Sequence, residues 1–435
     1  MSVKRNILFN YLGSGFAALA PILALPLYVE ALGPKQWGLV AFVTLLQGVL
    51  GLLDAGTSQA LTREIALRMT GNESGRRRAA ALLSGFERIY WVFAILAALI
   101  AGAFADALAS GWLNLAGLPE SDGRLAIYGA AAIFAAQFPG SVYRSVLSGG
   151  QAQVALNAVI IIGMLLRHGG GVLVVSIWPS LFAYLIWQTA IALLETLARS
   201  ALAWRSVGGR RAASGWDAGE MRQVCSLVAL LTGAVFMGAL AAQMDKIVLS
   251  RMLDIEQFGY YAIASALAMG VLQFIHPVFN AALPRVVQLR GEPPALWRFN
   301  LKIAGLTALL ILAAALVFLL LGRQLLEFWL RNAKVAAAVH APLSILLAGT
   351  ALNALYNVGY INWLAHGSTA KILQVNAASL AISVALLPAF VAWLGLSGAA
   401  LGWVTINSIG LLMSLQWLAP GRHGGETPLV HTRSE

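Results

Sequence analysis

The fold is decided by two similar stretches of the chain, QWGLVAFVTLLQGVLGLLDAGTSQALTR (36–63) and QFGYYAIASALAMGVLQFIHPVFNAALPR (257–285). Each stretch begins with Gln, an aromatic residue and Gly, carries Gly-Val-Leu near its middle and ends in Arg. The matched pieces lie 221 or 222 residues apart, close to half of the 435-residue chain. A self-match at a nearly constant separation indicates two copies of one structural unit.

The composition places both copies in a membrane. Apolar residues make up 59% of the chain and charged residues only 11%, whereas soluble globular proteins carry about 45–50% and about 25%. This balance excludes a soluble enzyme, a secreted disulfide scaffold and a disordered chain. The single cysteine, Cys225, excludes an intramolecular disulfide and a cysteine-based metal cluster.

Twelve runs of the chain satisfy the requirement of a transmembrane helix for about 20 mostly apolar residues. The first run follows Lys4 and Arg5 as in a signal peptide, but it is too long for one and no small-residue cleavage site follows, so we expect it to be retained. The predicted spans are 8–30, 37–61, 82–105, 125–147, 154–176, 179–200, 224–249, 259–284, 301–322, 339–364, 373–394 and 398–419.

The basic residues predict the orientation of these spans. Twenty of the 29 Lys and Arg residues fall on the side of the N-terminus, six on the opposite side and three within spans. The positive-inside rule therefore places both termini in the cytoplasm. The net charge of +11 is then an orientation signal and an attraction to anionic lipids, and we expect no nucleic-acid partner.

The repeat predicts two parallel halves, because spans two and eight run in the same direction across the membrane. We expect an N-terminal six-helix lobe (1–200), a flexible basic cytoplasmic linker (201–222), a C-terminal six-helix lobe (223–420) and a cytoplasmic tail (421–435). The predicted fold is an all-α polytopic membrane protein with 12 transmembrane helices in two parallel lobes around a central cavity.

The connections argue for transport and against catalysis. The longest predicted external connection, 106–124, is short for a membrane polymerase or transferase. The sequence has no HExxH, GxSxG or Walker A motif and no His/Cys spacing for a metal. We therefore predict no catalytic residues, no metal and no cofactor.

Arg167 and His168 lie close to the middle of the fifth span and precede three consecutive glycines, 169–171. Glycine weakens a helix by about 1 kcal/mol relative to alanine, so the backbone could open beside the charge. In one interpretation Arg167 lines a cavity and binds an anionic headgroup, since Arg binds phosphate through two N–H groups. In the other it pairs with a carboxylate on a neighbouring span.

Other polar residues within the spans are candidates for ion coupling, gating or sugar binding. Asp245 and Lys246 lie toward the outer end of span seven, and as adjacent residues we expect them to face different partners. Asp54 lies toward the inner end of span two, where a cytoplasmic Arg is a candidate partner. Asn353 and Asn357 share a helix face and either line a sugar-binding cavity or join helices.

The chain resembles the polysaccharide-transporter family of Wzx-type flippases. The likeness covers the first two spans and spans seven and eight. The residues that carry it are Asn10 through Pro26, Tyr28, Leu32-Gly33, Trp37-Gly38-Leu39, Leu53-Asp54-Ala55-Gly56 and Arg63-Glu64, then Gln243 through Ser250, Phe258 through Ala262 and Ala282-Leu283-Pro284-Arg285.

This resemblance implies the fold of the multidrug/oligosaccharidyl-lipid/polysaccharide exporter superfamily. It implies a flippase that moves an undecaprenyl-diphosphate-linked oligosaccharide between leaflets of the bacterial inner membrane for O-antigen or exopolysaccharide synthesis, coupled to a proton or sodium gradient. A polysaccharide polymerase is a candidate partner. The alternatives are a drug or organic-cation antiporter of the same superfamily and, from a different class, a membrane polymerase or transferase.

Overall fold

The computed structural model describes residues 3–54, 56–69, 73–210 and 236–418, and these ranges are almost entirely helical. A π-helical turn (Leu165–Gly170) separates α7 from α8. The helices are α1 (Val3–Gly51), α2 (Thr57–Met69), α3 (Glu73–Ala103), α4 (Ala105–Gly111), α5 (Glu120–Gln137), α6 (Gly140–Gly149), α7 (Gln153–Met164), α8 (Gly171–Ile177), α9 (Leu181–Ser206), α10 (Met244–Met252), α11 (Ile255–Leu289), α12 (Pro293–Leu330), α13 (Ala333–Ala365), α14 (Thr369–Leu394) and α15 (Leu396–Ser414).

Ten helical stretches in the described ranges are long and apolar enough to cross a membrane. The first of them contains two predicted spans, because α1 is interrupted at Gly33 by a non-helical conformation with φ +78°. The rings of Tyr28 and Trp37 stack across this break at 6.3 Å, whereas nine residues of straight helix advance about 13.5 Å. The predicted span 224–249 lies mostly outside the described residues. The ten stretches are therefore consistent with twelve spans, and the prediction of an all-α polytopic membrane fold is confirmed.

The predicted second span, 37–61, ends earlier than expected. Helix α1 stops at Gly51, a short 3-10 turn follows, and α2 begins at Thr57 as a separate 13-residue helix. Gly56 lies between them with φ +80°, a conformation that glycine adopts without steric cost. The apolar run of the sequence continues across this turn, so hydropathy alone did not detect it.

One apolar core joins the two halves of the chain at one end of the bundle. This end carries the 106–124 connection, and we call it the outer end after its predicted location. The shared core contains buried residues from both halves, among them Tyr28, Phe42, Ala130, Tyr261, Val339 and Ala400. The halves thus pack against each other at the outer end.

Toward the opposite, inner end each half has a core of its own. In the first half this core contains Leu61, Phe86 and Val146. In the second half the corresponding core contains Val286 and Val358. The halves are thus packed together at the outer end and separately at the inner end.

The internal repeat is visible as contacts between equivalent residues. Gly38 and Gly259, which open the two repeated stretches, lie against each other: a Cβ built on Gly259 would be 3.0 Å from the Cα of Gly38. A Cβ built on Gly38 would be 2.7 Å from the carbonyl carbon of Ile255 and closer still to its oxygen. Only glycine permits this approach of two backbones.

Two further contacts are related by the same repeat. A Cβ built on Gly270 would lie 2.7 Å from Cδ1 of Ile22, and one built on Gly48 would lie 3.5 Å from the side-chain amide of Gln243. Gly48 is the repeat partner of Gly270, and Ile22 precedes Gln243 by the same 221 residues. Equivalent helices of the two halves therefore make equivalent contacts, as parallel repeats about an axis between them require.

The predicted linker is described only at its beginning. Helix α9 continues to Ser206, six residues into the predicted linker 201–222, and Gly208 and Gly209 follow with φ +94° and +88°. The rest of the linker and the predicted tail, 421–435, lie outside the described residues. The lobe boundaries remain a prediction.

Candidate functional site

The fifth span changes its helical pitch at the place where the charge and the glycines occur. Residues Leu165–Gly170 form a π-helical turn between α7 and α8. Such turns are rare and are frequent at functional sites. The three glycines predicted that the helix would open beside Arg167, and the π turn is the form this opening takes.

Side chains from two other helices bind the carbonyl groups of the π turn. The Tyr28 hydroxyl donates to the carbonyl oxygens of Arg167 and His168 at 3.3 and 3.2 Å. Trp187 Nε1 donates to the Leu166 carbonyl at 2.9 Å, and Gln188 Nε2 donates to that of Arg167 at 3.4 Å. The turn is thus held by hydrogen bonds from α1 and α9, which compensate for irregular backbone inside a membrane.

The glycines provide the space for these donors. A Cβ built on Gly171 would collide with the Tyr28 hydroxyl, and one built on Gly170 would lie 3.0 Å from Cε2 of Trp187 and closer to its neighbouring ring carbon. Gly169 faces open space. Two of the three glycines therefore serve close packing.

Arg167 belongs to a buried charged cluster of two arginines and one carboxylate. Its Nη2 lies 3.0 Å from Glu195 Oε1, and Arg199 Nη2 lies 2.8 Å from Glu195 Oε2. The Arg167 and Arg199 side chains are 13% exposed and that of Glu195 is 7% exposed. The pairing with a carboxylate on the next span is the second of the two predicted interpretations. Because two guanidinium groups share one carboxylate, the cluster keeps a net charge of +1.

The cluster includes donors that its own contacts do not use. Arg167 Nη1 also donates to Gln137 Oε1 on α5 at 3.4 Å. Within the described ranges, Arg199 Nε, Thr196 Oγ1 and His168 Nδ1 are buried without a hydrogen-bond partner. Buried polar atoms are normally hydrogen-bonded, so these three atoms can bind a polar group that enters the site.

Asp245 and Lys246 form a pair with each other, so the expectation that they face different partners is wrong. Lys246 Nζ lies 3.2 Å from both carboxylate oxygens of Asp245, and the Lys246 backbone N–H donates to Oδ1 at 2.8 Å. The long lysine side chain can fold back over the first turn of α10, which a rule based on Cβ directions does not anticipate. The buried Tyr261 hydroxyl donates to Asp245 Oδ2 at 2.7 Å.

Asp54 has hydroxyl partners where an arginine was expected. The Tyr90 hydroxyl donates to Oδ1 at 2.5 Å, and the Ser58 hydroxyl lies 2.9 and 2.7 Å from the two carboxylate oxygens. Because α1 ends at Gly51, the 3-10 turn directs Asp54 toward α3. This places the carboxylate between α2 and α3.

Asn353 and Asn357 share a face of α13, as predicted, and connect it to α15. Asn357 Nδ2 donates to Asn353 Oδ1 at 2.9 Å, and Asn353 Nδ2 donates to Asn407 Oδ1 at 2.6 Å. Asn407 in turn donates to the Trp403 carbonyl at 2.7 Å. These bonds match the helix-joining alternative, and sugar binding by the same residues remains a prediction.

The predicted site residues therefore form separate sets with separate partners. Sequence reasoning did not assign a role in the site to Tyr28, Gln137 or Arg199, and it placed Glu195 at an interface. A signal for Glu195 was present: Arg167 and Glu195 are each 14 residues from Leu181, the first residue of α9. Residues at equal distances from the turn of a helical hairpin lie at the same depth.

Comparisons with known proteins agree with this architecture. A family model described as polysaccharide biosynthesis protein matches residues 3–290. A protein of Shigella flexneri described as an O-antigen transporter is 22% identical over 423 residues, which cover 96% of this chain and 98% of that protein.

Two solved structures share the fold at low sequence identity. A multidrug transporter of the MATE family in an inward-facing conformation matches with a TM-score of 0.66 and 15% identity, over 92% of this chain and 94% of the other. The lipid II flippase MurJ in an inward closed conformation matches with a TM-score of 0.73 and 13% identity, over 94% and 86%.

These findings confirm the resemblance to Wzx-type flippases that was inferred from the residues, and the solved structures confirm the fold of that superfamily. The family model covers more than half of the chain. The chain is a multi-pass membrane transporter, not an enzyme, and it belongs to the polysaccharide biosynthesis protein family.

Proposed function

We propose that the protein moves an undecaprenyl-diphosphate-linked oligosaccharide from the inner to the outer leaflet of the bacterial inner membrane, for O-antigen or exopolysaccharide synthesis. The observation that carries the proposal is the arrangement of the cores: the halves share one core at the outer end and have separate cores at the inner end. This is the packing of an alternating-access transporter with its outer side closed. Both termini then lie in the cytoplasm.

The charged cluster supports an anionic substrate. Arg167 and Arg199 together exceed the charge of Glu195 by one, and His168 and Thr196 add buried polar atoms beside them. A diphosphate is the part of the lipid-linked substrate that such a site can bind. An organic cation would favour a site of the opposite charge.

Complementation tests this function. A strain that lacks its flippase should regain surface polysaccharide when it expresses the wild-type chain. Arg167→Ala should abolish export without loss of expression, and Arg167→Lys should retain part of it if charge matters more than geometry. Arg63→Ala, which removes a guanidinium 64% exposed, is the control and should export normally. Full export by Arg167→Ala would refute the role of the cluster.

Ion coupling is the finer part of the proposal. Asp245 is buried, is paired with Lys246 and accepts a hydrogen bond from Tyr261, so loss or gain of a cation there would alter three contacts. Transport into vesicles should increase with an imposed proton or sodium gradient and lose this dependence in Asp245→Asn. The control is Asp106→Asn, whose carboxylate is 74% exposed. Transport that ignores both the gradient and the substitution would remove Asp245 as the coupling residue.

A further inference from the structure

A groove at the outer end of the bundle has the chemistry of a site for one lipid chain. It has a volume of about 650 Å³ and lies between the second segment of α1, the end of α3, and α4. Leu46 and Leu50 form one wall, and Ile100 and Phe104 form the other. Each pair is spaced by four residues and so shares one face of its helix. We call this the outer groove.

The outer groove is apolar along its length and positively charged at one end. Ile100 and Phe104 are both 59% exposed. At its end lies Arg251, whose Nη1 donates to the Gly111 carbonyl and whose guanidinium carbon lies 5.7 Å from the centre of the Trp112 ring. An arginine has five N–H donors, and the described hydrogen bonds use one, so the group can also bind a phosphate.

The position of the outer groove relates it to the opening of the outer end. Its walls belong to the first half of the chain, whereas Arg251 belongs to the second half. Directly beside it, Trp112 Nε1 donates to Ser250 Oγ at 3.0 Å and the Ile255 N–H donates to the Asn114 carbonyl at 2.8 Å. Separation of the halves at the outer end therefore moves Arg251 away from Trp112 and divides the site.

We propose that the outer groove binds the polyprenyl chain of the lipid-linked substrate, with the diphosphate at Arg251. This inference rests on the proposed function and adds a second contact for the substrate, on the side where it leaves. A diphosphate bears more negative charge than the single phosphate of a membrane phospholipid, and the groove has space for one chain between two helix faces. The separation of Arg251 from Trp112 then releases the substrate into the outer leaflet.

Photo-cross-linking tests the inference on the purified full-length protein in lipid nanodiscs. The probe is a polyprenyl diphosphate with a diazirine on its chain, and peptide mapping should find it on α3 and α4. Ile100→Trp fills the groove and should abolish this label. Arg251→Gln should reduce labelling about tenfold, the size expected for a lost hydrogen bond to a charged group.

Matched controls separate the groove from the general lipid-facing surface. Leu319→Trp adds the same ring to a side chain of α12 that is 82% exposed, and Arg323→Gln removes a guanidinium 70% exposed. Both should label like the wild type. Unlabelled polyprenyl diphosphate should displace the probe, whereas phosphatidylglycerol should not. Equal displacement by phosphatidylglycerol, a label elsewhere, or unchanged labelling of Ile100→Trp would overturn the inference.

A flipping assay in proteoliposomes distinguishes this failure from failure of the proposed function. If the wild type does not move a lipid-linked oligosaccharide, the proposed function is wrong. If the wild type moves it and both groove variants move it equally well, only the groove assignment is wrong. The expected result is a loss of flipping in Ile100→Trp with normal membrane insertion.

Discussion

Replacement of Gly38 by alanine should open the outer end of the protein. The new methyl group would lie 2.7 Å from the carbonyl carbon of Ile255 and closer to its oxygen, whereas carbon atoms in contact prefer about 3.5–4.0 Å. The neighbouring atoms belong to a backbone and cannot rotate away. Helices α1 and α11 must therefore separate by roughly 1 Å or more at this point.

The energetic consequence can be estimated from overpacking in protein cores, which costs about 1–3 kcal/mol per site. This penalty applies only while the outer end is closed. A differential of this size changes the ratio of two conformations by about 5- to 150-fold. The helix preference of alanine over glycine is the same in both conformations and cancels.

A buried reporter can measure this shift. Ser250 is 3% exposed beneath Trp112, so a Ser250→Cys substitution in a Cys225→Ser background should react slowly with a membrane-impermeant maleimide. Gly38→Ala should accelerate the reaction by at least about fivefold, in proportion to the open population. Polysaccharide export should fall, because the transporter must return to the state closed at the outer end.

Two further glycines give the comparison its internal order. A Cβ at Gly259 would meet the Gly38 backbone at 3.0 and 3.1 Å, a milder conflict, whereas Gly15 on α1 has open space. The labelling rate should therefore decrease from Gly38→Ala through Gly259→Ala to Gly15→Ala, which should equal the wild type. Equal rates in all three variants, at normal membrane levels, would refute the assignment of these glycines to the outer closure.

Two other predictions concern the polar bonds inside the bundle. Tyr28→Phe removes the donor to the carbonyls of Arg167 and His168 and should lower the free energy of unfolding by about 1–3 kcal/mol, measured by thermal denaturation in detergent; an unchanged melting temperature would contradict it. Asn353→Ala and Asn407→Ala should show a coupling of about 0.6 kcal/mol, up to about 1.7 kcal/mol, in a double-mutant cycle, and strict additivity would show that their 2.6 Å bond does not join the helices.

The sequence predicted the fold better than it predicted the site, for a physical reason. A bilayer of fixed thickness imposes a length on every span, and this length can be counted in apolar residues. The repeated glycines Gly38 and Gly259 also predicted parallel halves, and the structure places them in contact. The turn after Gly51 was not predicted, because the segment 52–54 is as apolar as the helix before it.

The charged cluster was predicted only in part because it depends on three-dimensional neighbours. The cost of an isolated charge in a membrane predicted that Arg167 needs a partner or a polar cavity, but not which of the two. Glu195 and Arg199, four residues apart on α9, resemble a common helical pair at an interface. Their burial follows from the approach of α7, where a Cβ on Gly163 would lie 2.5 Å from the Glu195 carboxyl carbon.

The contacts at the outer end explain how a large closed interface can still open. Apolar helix faces lose packing but gain lipid when they separate in a bilayer, so no hydrophobic penalty opposes the movement. The described hydrogen bonds across the halves at this end are few and include those of Trp112 with Ser250 and Ile255 with Asn114.

At about 0.5–1.5 kcal/mol for each such bond, the bonds across the outer end together contribute only a few kcal/mol. One elementary charge crossing a potential of 100 mV supplies about 2.3 kcal/mol, which is the same order. The energy of one coupled ion, or of a substrate leaving Arg251, is therefore enough to switch the protein between its two states. This balance requires the glycine contacts to be close yet free of strong polar bonds, and the structure has both properties at Gly38 and Gly259.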